Sequence, residues 1–217
     1  MIKLQKGQKP PILITNEEAW TTDYVNTINA GLIPTPTQKR RYRHQQIRDT
    51  LSKETHGKCA YCESKVGSVT WEHIEHIIPQ SVKPELYVKW DNLTLSCPKC
   101  NIKKNDNYND VAPFLNPYEE DFETEIYFRF AGPTIMPILN NARARLSYST
   151  FDLNRIELVE KRQCRILEVD KLLQEWNIST DVIKAAIEIE LHDTYSEKQE
   201  FRATIKAFLC ANGFPVH

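Results

Sequence analysis

The sequence has no apolar run near the ~20 residues that a membrane-spanning helix needs, which argues against a helical membrane protein. Its first residues, MIKLQKGQKPPILIT, lack the apolar segment of a secretory signal, so we expect a cytoplasmic protein without a membrane partner. Internal repeats and low-complexity tracts are also missing. The formal net charge is only −1, so any nucleic-acid-binding surface must be local or supplied by a partner.

The composition is otherwise that of an ordinary globular protein, with 41% apolar and 26% charged residues. At 217 residues the chain can hold one large domain or two small ones, with a proper core in either case. In a cytoplasmic protein its six cysteines favour metal ligands or free thiols over disulfides.

Residues 1–56 form an irregular and helical N-terminal segment, with helices expected around Glu17–Ala30 and over 38–56. The stretch TQKRRYRHQQIR concentrates basic side chains, among them Lys39, Arg40, Arg41 and Arg43. Two interpretations stay open for this patch. It is either the solvated face of a helix or a stripe that contacts nucleic-acid phosphates, and the patch alone favours the first.

Residues 57–110 are short elements broken by Gly, Pro and Asn-Asp clusters, which is typical of a small module held together by a metal ion. Residues 111–217 contain a predicted strand pair, with aromatic alternation near 126–130 and a Gly-Pro turn, followed by C-terminal helices. The helices are predicted from Asp152 onward, with a second amphipathic stretch from Asp181 to about Leu209. We expect a partner to dock on the C-terminal helices. The apolar spacing of the first long helix predicts a buried face made of Leu153, Ile156, Val159, Ile166, Val169 and Leu172.

Two C-x2-C pairs, Cys59/Cys62 and Cys97/Cys100, predict a four-thiolate zinc site. Each pair turns the chain so that both sulfurs point at one ion. A closed site of this kind leaves no position for water, so the zinc is expected to be structural. The alternative is that the four cysteines are buried in the core and bind no metal. Cys164 and Cys210 fall on largely apolar helical faces and are expected to be core thiols.

Between the pairs lies HIEHIIPQS, whose polar residues suit a second, hydrolytic metal site. Such a site needs oxygen ligands and open positions, which Glu75 and Asn101 can provide for Mg²⁺ or Mn²⁺. The neutral imidazole of His76 can take a proton from water, and Asn92 can hold the loop that orients it. His73 shares strand parity with Glu75. It is either a third ligand or substrate contact, or a structural hydrogen-bonding residue, and we favour the structural role.

The ordered set C-x2-C … EHIIPQS … WDNL … C-x2-C-N-x2-K resembles the HNH, or ββα-metal, nucleases. The resemblance implies a strand–strand–helix finger with His76 as general base, Glu75 and Asn101 as ligands of the catalytic ion and Asn92 as the central Asn. It also implies that Lys104 meets phosphate. Glu75 departs from the family's usual Asp by one methylene, so either the ion lies farther from the strand or the backbone is shifted.

Further motifs are similar to the PtuB-like HNH subunits of Septu-type and retron-associated antiphage defence systems. They are KGQKPP, GKCAYCES, PFLNPYEEDFE, GPTIMP and FDLNRIELVEKR, and they span most of the chain. This resemblance implies an effector nuclease that works with a larger ATPase subunit, PtuA-like in kind. Such a partner would explain the near-zero net charge.

We therefore predict an α+β protein in which a zinc-stapled ββα-metal finger is embedded in a mostly helical chain. The expected function is metal-dependent hydrolysis of phosphodiester bonds, in DNA rather than RNA, with structural Zn²⁺ and catalytic Mg²⁺ or Mn²⁺. Two alternatives stay open: a non-catalytic zinc adaptor that binds nucleic acid or protein, and a nuclease that cuts RNA such as tRNA. Loss of His76 is expected to cost less than ~1 kcal/mol of stability, as for a partly exposed side chain.

Overall fold

The computed structural model describes residues 3–67, 72–120, 122 and 126–216. These residues form an α+β fold, as predicted, with two antiparallel sheets of two strands each among mostly helical elements. No helix in these ranges is long and apolar enough to cross a membrane.

The N-terminal segment is more regular than predicted. Helix α1 spans Pro11–Asn29 and so begins six residues before Glu17. The prolines expected to break the chain start this helix instead, because Pro11 occupies its first position, where a missing N–H costs nothing and the fixed φ is already helical.

The single helix expected over 38–56 is two helices. Thr35 and Gln38 form a capping box that starts α2, Pro36–Arg40, which a 3₁₀ turn at Arg41–Arg43 continues. His44 then adopts a non-helical conformation and its Nδ1 accepts from the backbone N–H of Gln46, at the start of α3, Gln45–Glu54. The basic patch thus straddles a break in the chain and not a continuous helix face.

The finger has the predicted strand–strand–helix order. Strand β1 spans His73–His76, β2 spans Leu93–Ser96, and α4 spans Pro98–Lys104. The two strands are antiparallel, with Glu75 opposite Thr94 and His76 opposite Leu93. Two short 3₁₀ turns, Pro84–Leu86 and Trp90–Asn92, lie in the long connection between the strands.

The predicted second strand pair is also present, as β3 at Phe128–Ala131 and β4 at Thr134–Pro137. Its turn contains Gly132, whose φ of +55° lies in the left-handed region that glycine adopts without a steric penalty.

Four helices lie within the described residues 126–216. A helix that the sequence did not predict, α5, spans Ala142–Phe151, and the long predicted helix, α6, spans Ile156–Ile178. The second amphipathic stretch is broken by a turn into α7, Asp181–Thr194, and α8, Arg202–Ala211.

The buried face of α6 differs from the predicted one. Ile156 is 70% exposed, and Arg162 is buried in its stead. Arg162 can be buried because its guanidinium donates to backbone carbonyls of Leu153 and Pro133 and to the Asn154 side chain. The buried residues of the helix are Leu158, Arg162, Ile166, Val169 and Leu173.

Apolar side chains of the described residues gather in one main core, one C-terminal core and a small cluster of Leu4, Ala60 and Ala203. The main core draws on α1, α3, the finger, the second strand pair, α5 and the start of α6. The C-terminal core joins α6, α7 and α8. Cys164 and Cys210 belong to neither core and are exposed, so the expectation that they are core thiols is wrong.

Candidate metal and active site

The four cysteines of the two C-x2-C pairs converge, as their spacing predicts. Cys59 and Cys62 lie in a turn that precedes β1, Cys97 caps α4, and Cys100 lies in its first turn. Their sulfurs are buried and all lie within 4.8 Å of one another. The Cys62 and Cys97 sulfurs are 3.9 Å apart. Four sulfurs at about 2.3 Å from one zinc ion would lie about 3.8 Å apart, so the arrangement fits a tetrahedral zinc site.

Arg155 contacts this cluster and was not identified from the sequence. Its guanidinium lies 3.8 Å from Cys100 Sγ and 3.9 Å from Cys97 Sγ, each from a separate nitrogen. Hydrogen bonds of this kind offset the negative charge of thiolate ligands and orient them. Arg155 is also the residue before α6, so the zinc cluster and the C-terminal helices share a contact. The only sequence signal was its place in the FDLNRIELVEKR motif.

Strand β1 and helix α4 bring Glu75, His76 and Asn101 to one cleft of about 140 Å³. Successive residues of a strand point to opposite faces, so neighbours rarely share a cleft. Glu75 and His76 nevertheless both line this one. Asn101 reaches the same cleft because it directly follows Cys100 of the four-cysteine cluster in α4. A metal ion held by that cluster would fix the helix that carries Asn101.

The Glu75 carboxylate is buried between two donors. Its Oε2 accepts from Asn101 Nδ2, and its Oε1 lies 2.7 Å from Lys104 Nζ. Burial raises the pKa of Glu75, although the Lys104 charge and both hydrogen bonds act in the opposite direction. A carboxylate next to an amide in an open cleft suits a hard divalent cation, with water and phosphate oxygens completing its ligands. Asn101 would turn its amide to present Oδ1.

His76 is held in one tautomer. Its ring lies edge-on to Tyr42, and Nε2 lies 2.8 Å from the backbone carbonyl of Tyr87. A carbonyl can only accept, so Nε2 carries the proton and Nδ1 keeps its lone pair. No other described residue hydrogen-bonds Nδ1. Burial lowers the pKa of His76 to about 4, so the imidazole is neutral near pH 7. The side chain is only 8% exposed, which corrects the expectation of a partly exposed residue.

Asn92 fixes the loop that holds His76. Its Oδ1 accepts from the Ile78 N–H at 2.8 Å, and its Nδ2 donates to the carbonyls of Ile78 and Leu86 at 2.9 and 3.1 Å. Leu86 precedes Tyr87, whose carbonyl binds His76. Asn92 therefore acts on the imidazole through the loop and does not line the cleft.

The basic residues separate into paired and unpaired side chains. Lys104 is 1% exposed and pairs with Glu75, so its ammonium does not face the solvent from which a phosphate would approach. Arg41 forms an ion pair with Asp23 of α1 at 2.7 Å. Lys39, Arg40 and Arg43 are exposed, and none of them has an acidic partner among the described residues.

His73 lies outside the Glu75 cleft. It lines a neighbouring cleft of about 290 Å³ together with Arg43, Arg48 and Asn101. Asn101 lines both clefts, so His73 shares its cleft with one of the two predicted metal ligands. Its role stays open between a substrate contact and a structural residue.

Comparison with known proteins agrees with the geometry of the finger. Residues 59–107 match the family described as HNH endonuclease. The chain is 26% identical over 195 residues to Septu protein PtuB of Bacillus mycoides (strain KBAB4), an alignment that covers 75% of this chain and 66% of that protein. It is 29% identical over 118 residues to Septu protein PtuB of Bacillus thuringiensis, covering 54% of this chain and 42% of that protein. The predicted resemblance to HNH nucleases and to PtuB-like proteins is confirmed, over less than two thirds of each relative's length.

Proposed function

We propose that this chain, which carries an HNH endonuclease domain, hydrolyses phosphodiester bonds, and that it does so in DNA as the nuclease of a Septu-type antiphage defence system. The observation that carries the proposal is the convergence of Glu75, His76 and Asn101 on one cleft, with the His76 ring fixed by the Tyr87 carbonyl.

His76 is the general base of the proposed reaction. Its Nδ1 accepts a proton from the attacking water, because Nε2 already donates to Tyr87. The lowered pKa keeps this nitrogen unprotonated throughout the physiological range. Asn92 is a positioning residue, since it holds the loop that bears the Tyr87 carbonyl.

Glu75 and Asn101 are the proposed ligands of the catalytic cation. Mg²⁺ or Mn²⁺ held there would supply a Lewis acid that stabilises negative charge developing on the phosphate and on the leaving oxygen. The four cysteines hold zinc away from this cleft, and their role is to fix α4 and the turn before β1.

The unpaired cations Lys39, Arg40 and Arg43 are the proposed contacts to the nucleic-acid backbone. Arg43 lines the cleft that shares Asn101 with the Glu75 site, so a strand bound there would continue from the reacting phosphate onto this arginine. Contacts to phosphate position a strand without reading its sequence.

An ATPase subunit is the proposed partner, as the resemblance to PtuB-like proteins implies, and the cytoplasm is the proposed site of action. The proposed docking surface is the exposed face of α7, defined by the apolar residues Val182, Ala185, Ala186 and Ile189. These positions are spaced i, i+3, i+4 and i+7, so they form one stripe on the helix. Ile178, at the end of α6, is exposed beside the start of this stripe.

The test is cleavage of plasmid DNA and of total RNA by the zinc-loaded chain, alone and with whatever protein its neighbouring gene encodes, in Mg²⁺ or Mn²⁺. We expect His76→Gln to lower the cleavage rate by about 10²–10⁴-fold, the usual contribution of a general base. The same substitution should lower the free energy of unfolding by about 1–3 kcal/mol, since it removes a buried hydrogen bond.

The matched control is His56→Asn, which changes a histidine just after α3 and outside the cleft. Asparagine tolerates the φ of +52° at this position. The substitution should leave cleavage unchanged. Cleavage that survives His76→Gln would favour the zinc adaptor, and cleavage of RNA alone would correct the substrate. Cys59→Ser should unfold the finger, because structural zinc contributes directly to folding.

A further inference from the structure

Lys104 is a buried lysine whose charge the proposed mechanism does not use. It ends helix α4 and is 1% exposed. Its ammonium lies 2.7 Å from Glu75 Oε1 and 2.8 Å from the backbone carbonyl of His76. A buried ammonium needs a partner of opposite charge, and Glu75 is the only carboxylate of a described residue within ion-pair distance.

The ammonium binds the oxygen that a divalent cation would need. Both Glu75 oxygens already have donors, one from Lys104 and the other from Asn101. Glu75 and Lys104 together carry no net charge, and Asp106 is the one further acid among the described residues that line the cleft. A divalent cation would therefore enter a cleft that already holds a positive charge, and it would compete with that charge for one carboxylate.

We propose that Lys104 is an internal cation that competes with the divalent ion for Glu75, so that the ion and a nucleic-acid phosphate enter the cleft together. The inference rests on the proposed function for its choice of ligands. A phosphodiester brings a negative charge, which offsets the excess positive charge and gives the displaced ammonium a new partner. Lys104 then acts as a positioning residue before it acts as a phosphate contact.

The competition makes opposite predictions for affinity and for cleavage. Lys104→Met keeps the length of the side chain and removes its charge, so Mn²⁺ should bind the zinc-loaded chain at least tenfold more tightly by calorimetry. Cleavage by the same variant should fall, because the phosphate loses its cation. A merely structural role would instead weaken both, since Glu75 would be left buried without its partner.

Lys103→Met is the matched control. Lys103 is the preceding residue of the same helix, but it is exposed and pairs with Asp152 at 2.7 Å. Its loss removes the same charge outside the cleft and should leave Mn²⁺ affinity within twofold. An Mn²⁺ affinity of Lys104→Met no higher than that of Lys103→Met overturns the proposal.

Two further measurements use proteins that keep Lys104, in case Lys104→Met does not fold. One uses the His76→Gln variant and the other uses the wild type. A short DNA duplex should raise the Mn²⁺ affinity of His76→Gln at least tenfold, and equal affinity with and without duplex would contradict joint entry. In the wild type, an amine-acylating reagent followed by mass spectrometry should label Lys104 faster when Mn²⁺ is saturating. Binding of Mn²⁺ that leaves this labelling rate unchanged would also contradict the proposal.

The Mn²⁺ titrations need no cleavage, so the two proposals can fail separately. Tight Mn²⁺ binding by Lys104→Met in a chain that cuts neither DNA nor RNA would remove the nuclease proposal and keep the competition. If cleavage depends on His76 but Lys104→Met leaves the Mn²⁺ affinity unchanged, the nuclease proposal is kept and the competition proposal is removed.

Discussion

Asn92 hydrogen-bonds through both polar atoms of its side chain to fix the loop that carries the Tyr87 carbonyl. Its three contacts, to the two backbone groups of Ile78 and to the Leu86 carbonyl, are all made inside the fold. A buried backbone group that loses its only partner costs about 1–3 kcal/mol. One amide therefore contributes to stability and, through Tyr87, to the orientation of His76.

Replacing this amide should separate positioning from binding. We expect Asn92→Ala to lower the free energy of unfolding by about 1–3 kcal/mol and to lower kcat more than it raises KM. Urea unfolding and steady-state cleavage kinetics measure the two effects. Asn92→Asp keeps the acceptor for Ile78 N–H but places a buried carboxylate against the carbonyls of Ile78 and Leu86, so it should be at least as destabilising as Ala. A kcat equal to that of wild type in Asn92→Ala would remove the positioning role.

The positions of site residues that depend on their own strand or helix were predictable from the sequence. The partners of side chains that reach across to other elements were not. Glu75, His76 and Asn101 follow from the order of two strands and a zinc-held helix, and the structure brings them to one cleft. The ends of Lys104 and Arg155 lie far from their backbones, and their partners come from other elements. The resemblance predicted that Lys104 meets phosphate, and no periodicity signals a lysine that pairs inside the fold, because buried lysines are rare.

The break between α2 and α3 divides the basic patch into two kinds of arginine. Arg41 points back to Asp23 on α1, whereas Arg43 donates Nε to the Tyr42 hydroxyl and keeps its two terminal nitrogens without an acidic partner among the described residues. A helix continuing through residue 44 would have placed these side chains differently. The sequence could not show the break, since its cause is a His44 cap and not a glycine or proline.

This division predicts different salt dependence for the two arginines. Arg43→Ala should weaken DNA binding and reduce the slope of log K against log salt by about 1, because one phosphate contact is lost. Arg41→Ala should leave the slope unchanged and cost about 1 kcal/mol of stability or less, since its ion pair is partly exposed. Fluorescence anisotropy at several salt concentrations measures both. Equal slopes for the two variants would show that the ion pair with Asp23 does not withhold Arg41 from DNA.

Arg155 couples the zinc cluster to the last three helices, so its loss should loosen the metal. We expect Arg155→Gln to speed zinc transfer to a chelating dye about tenfold, in the range seen for groups that orient metal ligands. Lys161→Gln, which removes an exposed charge from the same helix, is the control and should release zinc at the wild-type rate. Equally fast zinc release from both variants would show that Arg155 does not hold Cys97 and Cys100 in place.

At the scale of the whole molecule, the two cores explain which parts the sequence could place. The finger and the second strand pair are short elements bounded by turn residues, and their order was predicted. The C-terminal helices were predicted as two stretches but are three, and Arg162 shifts the buried face of α6 by its contacts to distant carbonyls. Such contacts depend on where β4 and the chain before α6 already lie, and helical periodicity carries no information on that.

The cores also limit how the proposed docking surface can be tested. Phe201, just before α8, belongs to the main core, so removing residues from about 180 onward would expose both cores. Substitution on the exposed face of α7 avoids this. Val182 and Ile189 are 84% and 74% exposed, whereas Ile187 and Leu191 of the same helix are buried.

The double substitution Val182→Asp/Ile189→Asp should therefore abolish association with the ATPase subunit while leaving the fold intact. Two carboxylates on an apolar contact would be buried without partners in the complex but remain solvated in the free chain, whose melting temperature should change by about 2 °C or less. Co-purification followed by size-exclusion chromatography measures association. Glu190→Gln, an exposed change on the same helix, should retain the complex. A complex that survives the double substitution would place the partner on another face of the molecule.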